Sequence, residues 1–160
     1  MLERAFPFFV LLLLLFTGCG DDYIYEETKL VPNGEWTYEE ALAFDFDLKD
    51  TSARYDIILY ISHTDTYGFQ NMYVQFHTNF PSGESESQVV SLELARKNGV
   101  WNGRCNGEKC EVEIPLQTNA YFPEPGAHQI KVEQYMRRNP LPGVEGMTLK
   151  IRKAKSQVTN

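Results

Sequence analysis

Three cysteines, a spread of carboxylates and a set of tyrosines and tryptophans are the side chains of this 160-residue chain with chemistry to offer. A thiol can carry a lipid, close a disulfide or ligate a metal, and spacing separates the cases. Cys105 and Cys110 flank Asn106-Gly107-Glu108-Lys109, and Asn-Gly is a strong signal for a tight hairpin turn that sets two sulfurs opposite each other. The expectation is a disulfide, formed in an oxidising compartment. A loop this short contributes only about 2 kcal/mol in the chain-entropy model, so the bridge pins a turn and does not carry the fold. Zinc would need four ligands, and His63, His77 and His128 stand singly without ligand spacing, so no metal and no cofactor is predicted.

Cys19 has a different setting. Glu3 and Arg4 precede the apolar run Phe8 to Phe16, which ends in Thr17, Gly18 and Cys19. That is the three-part plan of a secretory signal. The run is far shorter than the roughly 20 residues a membrane-spanning helix needs. Phe16-Thr17-Gly18-Cys19 resembles a lipobox, in which the cysteine is acylated and the chain is cut in front of it. Residues 1–18 are therefore expected to be a lipoprotein signal peptide and Cys19 the lipid-bearing first residue of the mature protein. With Cys19 taken by lipid, the cysteine count closes on one pair.

Other candidates read less sharply. Asp45, Asp47 and Asp56 are carboxylates that could converge as a pair for glycoside cleavage, although alternating acids on strands more often form a wet face. No Gly-x-Ser-x-Gly elbow, phosphate-binding glycine loop or paired ligand motif is present, and the chain is expected not to be an enzyme. Tyr67, Phe69 and Tyr73 have the odd spacing that places side chains on one face of a strand, either as core or as a strip for sugar or partner contact. Trp36 and Trp101 suit a core or a covered edge. Asn71 suits a strand cap, and Gly99 and Gly103 suit turns. Arg137 and Arg138 stand before a proline-rich turn, where a guanidinium fork can grip a carboxylate. Tyr67, Asn71, Tyr73, Trp101 and Arg137 are the partner-binding candidates.

The elements that must position these residues are strands. Leu42, Phe44, Phe46 and Leu48 alternate with Ala43, Asp45 and Asp47. Tyr55, Ile57, Leu59 and Ile61 alternate in turn, and Ile58 and Tyr60 on the other side mark a central strand covered on both faces. Further strands follow at Met72 to Phe76, Val90 to Leu94, a short one at Glu111 to Ile114, Ile130 to Val132 and Met147 to Ile151. Turn clusters separate them, among them Lys49 to Ser52, Pro81-Ser82-Gly83, Lys97-Asn98-Gly99 and Asn139 to Gly143. No segment carries a helical stripe. The expected fold is an all-β antiparallel β-sandwich, immunoglobulin-like or jelly-roll, over residues 35–155. Residues 19–34 are expected to be a lipidated acidic tether and 156–160 a frayed tail. The formal charge of −7 argues against nucleic acid. The basic cluster Lys150, Arg152, Lys153 and Lys155 reads as a solvated C-terminal tail.

The stretches Phe44-Asp45-Phe46-Asp47, Tyr67 to Val74, Gly99-Val100-Trp101-Asn102-Gly103 and Gln134-Tyr135-Met136-Arg137, in this order behind a lipobox, resemble the gliding motility lipoprotein GldH family of Bacteroidetes. The resemblance spans nearly the whole mature domain. It implies an outer-membrane lipoprotein, on the periplasmic face or at the cell surface, that is required for gliding and associated with the type IX secretion and gliding machinery. It implies no catalytic residues. The competing expectation is a lipid-anchored sandwich that binds glycan through its aromatics.

Overall fold

The structure is a computed structural model that describes residues 22–155. The expectations for the signal peptide, for Cys19 and for the tail 156–160 lie outside the described residues.

Two antiparallel sheets pack face to face. One runs, in spatial order, β1 (Tyr23–Leu30), β11 (Val144–Lys153), β4 (Tyr55–Thr64), β8 (Lys109–Ala120) and β7 (Arg104–Asn106). The other runs β3 (Leu42–Leu48), β9 (Gly126–Gln134), β5 (Asn71–Asn79) and β6 (Ser85–Glu93). A two-residue pair, β2 (Glu35–Trp36) with β10 (Leu141–Pro142), closes one end. The chain shuttles between the sheets, and among the described residues only β5-β6 and β7-β8 are neighbours both in sequence and in space. The expected antiparallel sandwich is what forms.

Alternation explains the layering. Leu42, Phe44, Phe46 and Leu48 of β3 are buried, whereas Asp45 and Asp47 between them face water. Across the first sheet the register sets Ile57 beside Ile151, Leu59 beside Leu149 and Ile61 beside Met147, a row of apolar pairs pointing at the second sheet. That sheet answers with Met72, Val74, Phe76, Ile130 and Val132. Each such side chain contributes about 1.5–3 kcal/mol on burial. β4 is central, between β11 and β8, and its outward-facing Ile58 is also buried, beside Lys150 and Pro115 in register.

Three expectations are corrected. Most of the segment read as tether is β1, paired with β11 from Tyr23 to Leu30, so the sandwich includes residues from Tyr23 and does not begin near Trp36. Its composition misled because an edge strand needs mainly backbone pairing. Here Tyr25 packs on Phe46 at 5.5 Å between ring centroids, while Glu27 and Lys29 share that inward face as an ion pair of 2.5 Å. Inward charge on an edge strand also deters pairing with another chain. Second, the basic cluster is no solvated tail. Lys150 pairs with Glu26 at 3.0 Å and lies 4.9 Å from the ring centroids of both Tyr23 and Tyr60; Arg152 pairs with Asp56 at 3.3 Å and Lys153 with Asp50 at 2.6 Å. Third, the short strand at Glu111 to Ile114 is the 12-residue β8, which runs on through Pro115. β7 pairs with β8 only at Lys109, Cys110 and Glu111, so Pro115 sits where no strand pairs on the outer side, a place where a missing N–H is tolerated.

Candidate partner-binding surface

Cys105 and Cys110 occupy directly opposed positions at the start of the β7-β8 hairpin and are joined by a disulfide, with Cα atoms 4.0 Å apart. Gly107 takes φ +62° in the turn, a conformation glycine adopts without penalty. Gly103 serves a different purpose from the turn relief expected of it. A Cβ there would meet the Glu111 carbonyl oxygen, because two backbones cross in contact where the chain enters the hairpin. Replacing both cysteines with serine should lower stability by about 2 kcal/mol and leave a cooperative unfolding transition, as read by thermal melting with and without reductant.

The partner-binding candidates divide into two places. Tyr67 and Phe69 are in the loop before β5, not on one strand face with Tyr73 as their spacing suggested. A turn closed by the Tyr67 amide on the Thr64 carbonyl, 3.1 Å, swings Tyr67 inward. It is 4 % exposed, its hydroxyl donates to the Asn71 carbonyl at 3.2 Å, and its ring lies 5.7 Å from Phe69 and 6.5 Å from half-buried Trp101. Burial alone pushes the Tyr67 phenol well above its ordinary pKa. Asn71 opens β5 and donates through Nδ2 to Ser91 Oγ at 2.9 Å. These residues are architecture: a ring cluster that anchors the loop between β4 and β5.

His63 completes that cluster, 4.5 Å from Trp101 and fully buried. Its Nδ1 donates to the Thr64 carbonyl at 2.8 Å, and Nε2 has no partner among the described residues. Desolvation holds its pKa below the ordinary value, outweighing the Thr64 carbonyl and Glu145, which pull the other way. The folded state therefore prefers the neutral ring, and stability is fully present above the unfolded value of about 6.5 and lost as pH falls below it. Melting temperature should drop between pH 7 and pH 5, and His63→Leu should flatten that part of the drop.

Tyr73 and Arg137 lie elsewhere, around Met136. Tyr73 is 46 % exposed on the outer face of β5, its amide donates to the Met136 sulfur at 3.2 Å, and its carbonyl accepts from the Tyr135 amide at 2.8 Å. Tyr38 donates its hydroxyl to the Met136 carbonyl at 2.6 Å, and its amide donates to Asn139 Oδ1 at 3.1 Å. Tyr38, Tyr73 and Tyr135 are all about half exposed, and Arg137 and Arg138 follow in the same exposed segment. Three rigid amphipathic rings next to two guanidiniums are the composition of a protein-contact surface. Tyr38 and Tyr135 were not among the candidates because each stands in a segment without alternation. Backbone contacts far apart in sequence bring them together.

The carboxylates do not converge. Asp45 and Asp47 leave the outer face of the sheet that contains β3, with Asp45 accepting from Gln129 at 2.7 Å. Asp56 leaves the opposite outer face, on β4, and is held by Arg152 and by the Asn119 amide at 3.0 Å. One surface chain does link a hydroxyl, an imidazole and a carboxylate: Ser87 Oγ to His77 Nδ1 at 2.7 Å, and His77 Nε2 to Glu133 at 3.1 Å. It lies on the outer face of the sheet that contains β5 and β6, with Ser87 also lining the space between β6 and β8. Glu133 is bonded first by Lys131, which, with His77, holds it below the usual carboxylate range. Among the described residues no three His, Cys, Asp or Glu side chains gather as a metal cluster, and no helix is long and apolar enough to cross a membrane.

Fold and surface thus define a disulfide-pinned β-sandwich that exposes a patch of tyrosines and arginines. The GldH lipoprotein family model matches residues 23–151, and the chain belongs to that family. It is 26% identical over 140 residues to a gliding motility lipoprotein GldH homolog of Christiangramia forsetii, covering 86% of this chain and 85% of that protein. It is 21% identical over 135 residues to gliding motility lipoprotein GldH of Flavobacterium johnsoniae, covering 84% and 83%. Among solved structures it is similar to an arabinose-bound GH51 α-L-arabinofuranosidase, with TM-score 0.37, 10% identity and coverage of 79% of this chain and 19% of the enzyme. It is also similar to BtGH115A, a 4-O-methyl-α-glucuronidase, with TM-score 0.39, 12% identity and coverage of 85% and 18%. The chain spans about a fifth of those enzymes' length.

Proposed function

We propose that this chain is a non-enzymatic lipoprotein, anchored through acylated Cys19 to the periplasmic face of the outer membrane, that supports gliding by docking its sandwich onto the gliding and type IX secretion machinery. The observation that carries the reading is the family match across the whole ordered domain, from β1 into β11. The exposed group Tyr38, Tyr73, Tyr135 and Arg137 is the first docking surface to test. Deleting the gene should abolish colony spreading, and the wild-type gene should restore it. A Tyr73→Ala, Tyr135→Ala, Arg137→Ala triple variant should reach the membrane at wild-type level, yet capture envelope partners at least tenfold less in cross-linking from intact cells. Unchanged spreading in the deletion strain would refute the reading.

The exposed tyrosines also support a second reading, a lipid-anchored glycan binder, because sugars stack on exposed rings. Under it, envelope polysaccharide would retain the protein and the triple variant would not be retained.

A further inference from the structure

Along one side the sandwich is open. Between β6 and β8 the sheets enclose a groove of about 1040 Å³ walled by Phe76, Val90, Leu92, Ile114, Leu116 and Phe122. Val90, Ile114 and Leu116 are only half buried there, so apolar surface stays in contact with water at a place where a sandwich ordinarily packs shut. Both rims are free strand edges. β6 has β5 as its sole neighbour among the described residues, and β8 has no outer neighbour beyond Glu111.

The two rims are not equivalent. Pro115 interrupts the donors of the β8 rim. β6 has no proline, and its hydrogen-bond phase is set at the turn by the Phe80 amide bonding to the Glu84 carbonyl at 2.9 Å. Because antiparallel pairs alternate, Glu86, Gln88 and Val90 bond to β5, while Ser85, Ser87, Val89 and Ser91 turn their amides and carbonyls outward. Glu93 has the same outward phase, and its carbonyl is already taken by the Asn102 side chain at 2.9 Å. The outward groups before it form a template for one more strand.

Charge selects the occupant. Among the described residues Glu86, Glu93 and Glu113 line the groove, Glu93 accepting from Ser91 at 3.2 Å and Glu113 from Tyr60 at 3.0 Å, and no lysine or arginine does. We propose that the groove between β6 and β8 is a docking site for an extended segment of a partner envelope protein, with basic ends and alternate apolar side chains. The segment adds antiparallel to β6 and fills the open core between the sheets, as in strand addition. This deepens the reading of the domain as a docking lipoprotein, and rests on it. A fatty acid would bring its carboxylate to an acidic rim and leave the β6 amides unpaired. A second copy joined edge to edge would bring two acidic rims together.

The test uses the full lipidated protein in detergent micelles and a labelled nine-residue peptide that alternates valine and threonine and ends in lysine on both sides. Fluorescence anisotropy should show saturable binding, at least tenfold tighter than for the same peptide ending in glutamate. Hydrogen exchange at the amides of Ser85, Ser87, Val89 and Ser91 should slow at least tenfold. Val89→Pro removes one outward donor at an exposed position and should abolish binding while the melting temperature stays within a few degrees. Glu86→Lys, which leaves the backbone intact, should reverse the preference between the two peptides. Absence of saturable binding, binding that survives Val89→Pro, displacement of the peptide by palmitate, or a doubling of mass in place of peptide binding would each overturn the proposal. If the peptide fails while gene deletion still stops spreading, the groove assignment falls and the docking reading stands. If the peptide binds while deletion leaves spreading intact, the groove is a strand-binding site but its assignment to a gliding partner falls with the docking reading.

Discussion

Cys19→Ala is expected to move the protein from the membrane fraction to the soluble envelope fraction and to abolish colony spreading, with the sandwich itself still folded. Each buried methylene of an acyl chain contributes about 0.8 kcal/mol to membrane residence, and stable anchoring takes two chains where one is marginal. Removing the thiol that carries the proposed anchor removes all of it at once. Tyr23 already belongs to β1, so only Gly20, Asp21 and Asp22 separate Cys19 from the ordered sheet. At about 3.5 Å per extended residue, that leash reaches no more than about 14 Å. Under the proposed anchoring the sandwich works close to the bilayer surface, with β1 joining the leash to the sheet through its pairing with β11. Fractionation and spreading assays check the result. Retention of the alanine variant on membranes would sink the lipid-anchor assignment.

Trp36→Ala should be the most damaging single change inside the domain, costing about 3–5 kcal/mol. The indole is 0 % exposed, packs into the core where β2 meets β10, and donates through Nε1 to the Glu40 carbonyl at 2.6 Å. Alanine leaves a cavity and an unpaired carbonyl. Domains of this size have about 5–15 kcal/mol of stability in all, so the loss is a large fraction. Each kcal/mol moves the melting temperature by several degrees, which puts the expected fall at about 10 °C or more. Trp36→Phe keeps most of the volume and loses the donor, and should fall between the two. A wild-type melting curve for Trp36→Ala, by circular dichroism or calorimetry, would show that the end of the sandwich bears no weight.

The fold was legible where burial is one-sided or complete. Leu42 to Leu48 alternates because one face of β3 meets the core, and Tyr55 to Ile61 runs apolar on both faces because β4 lies between two strands. The Asn-Gly between two cysteines announced the β7-β8 hairpin because the turn needs a positive φ and supplies it locally. Where an element owes its place to backbone pairing, composition was silent. β1 has a glutamate and a lysine on its inner face, and the pairing that holds it comes from β11, over a hundred residues away.

By itself, then, the sequence pointed to the all-β sandwich, the pairing of Cys105 with Cys110 and the family, because period-two alternation, a turn dipeptide and ordered motifs are local signals. Only the tertiary structure decided which candidates stand on the surface. It buried Tyr67 in a ring cluster, set Tyr38 and Tyr73 against the Tyr135-Met136 segment, separated Asp56 from Asp45 and Asp47, and, among the described residues, left one edge of β6 free beside an open groove. Alternation says that two faces exist, but which face is wet and which edge is free depends on strands brought together from distant parts of the chain.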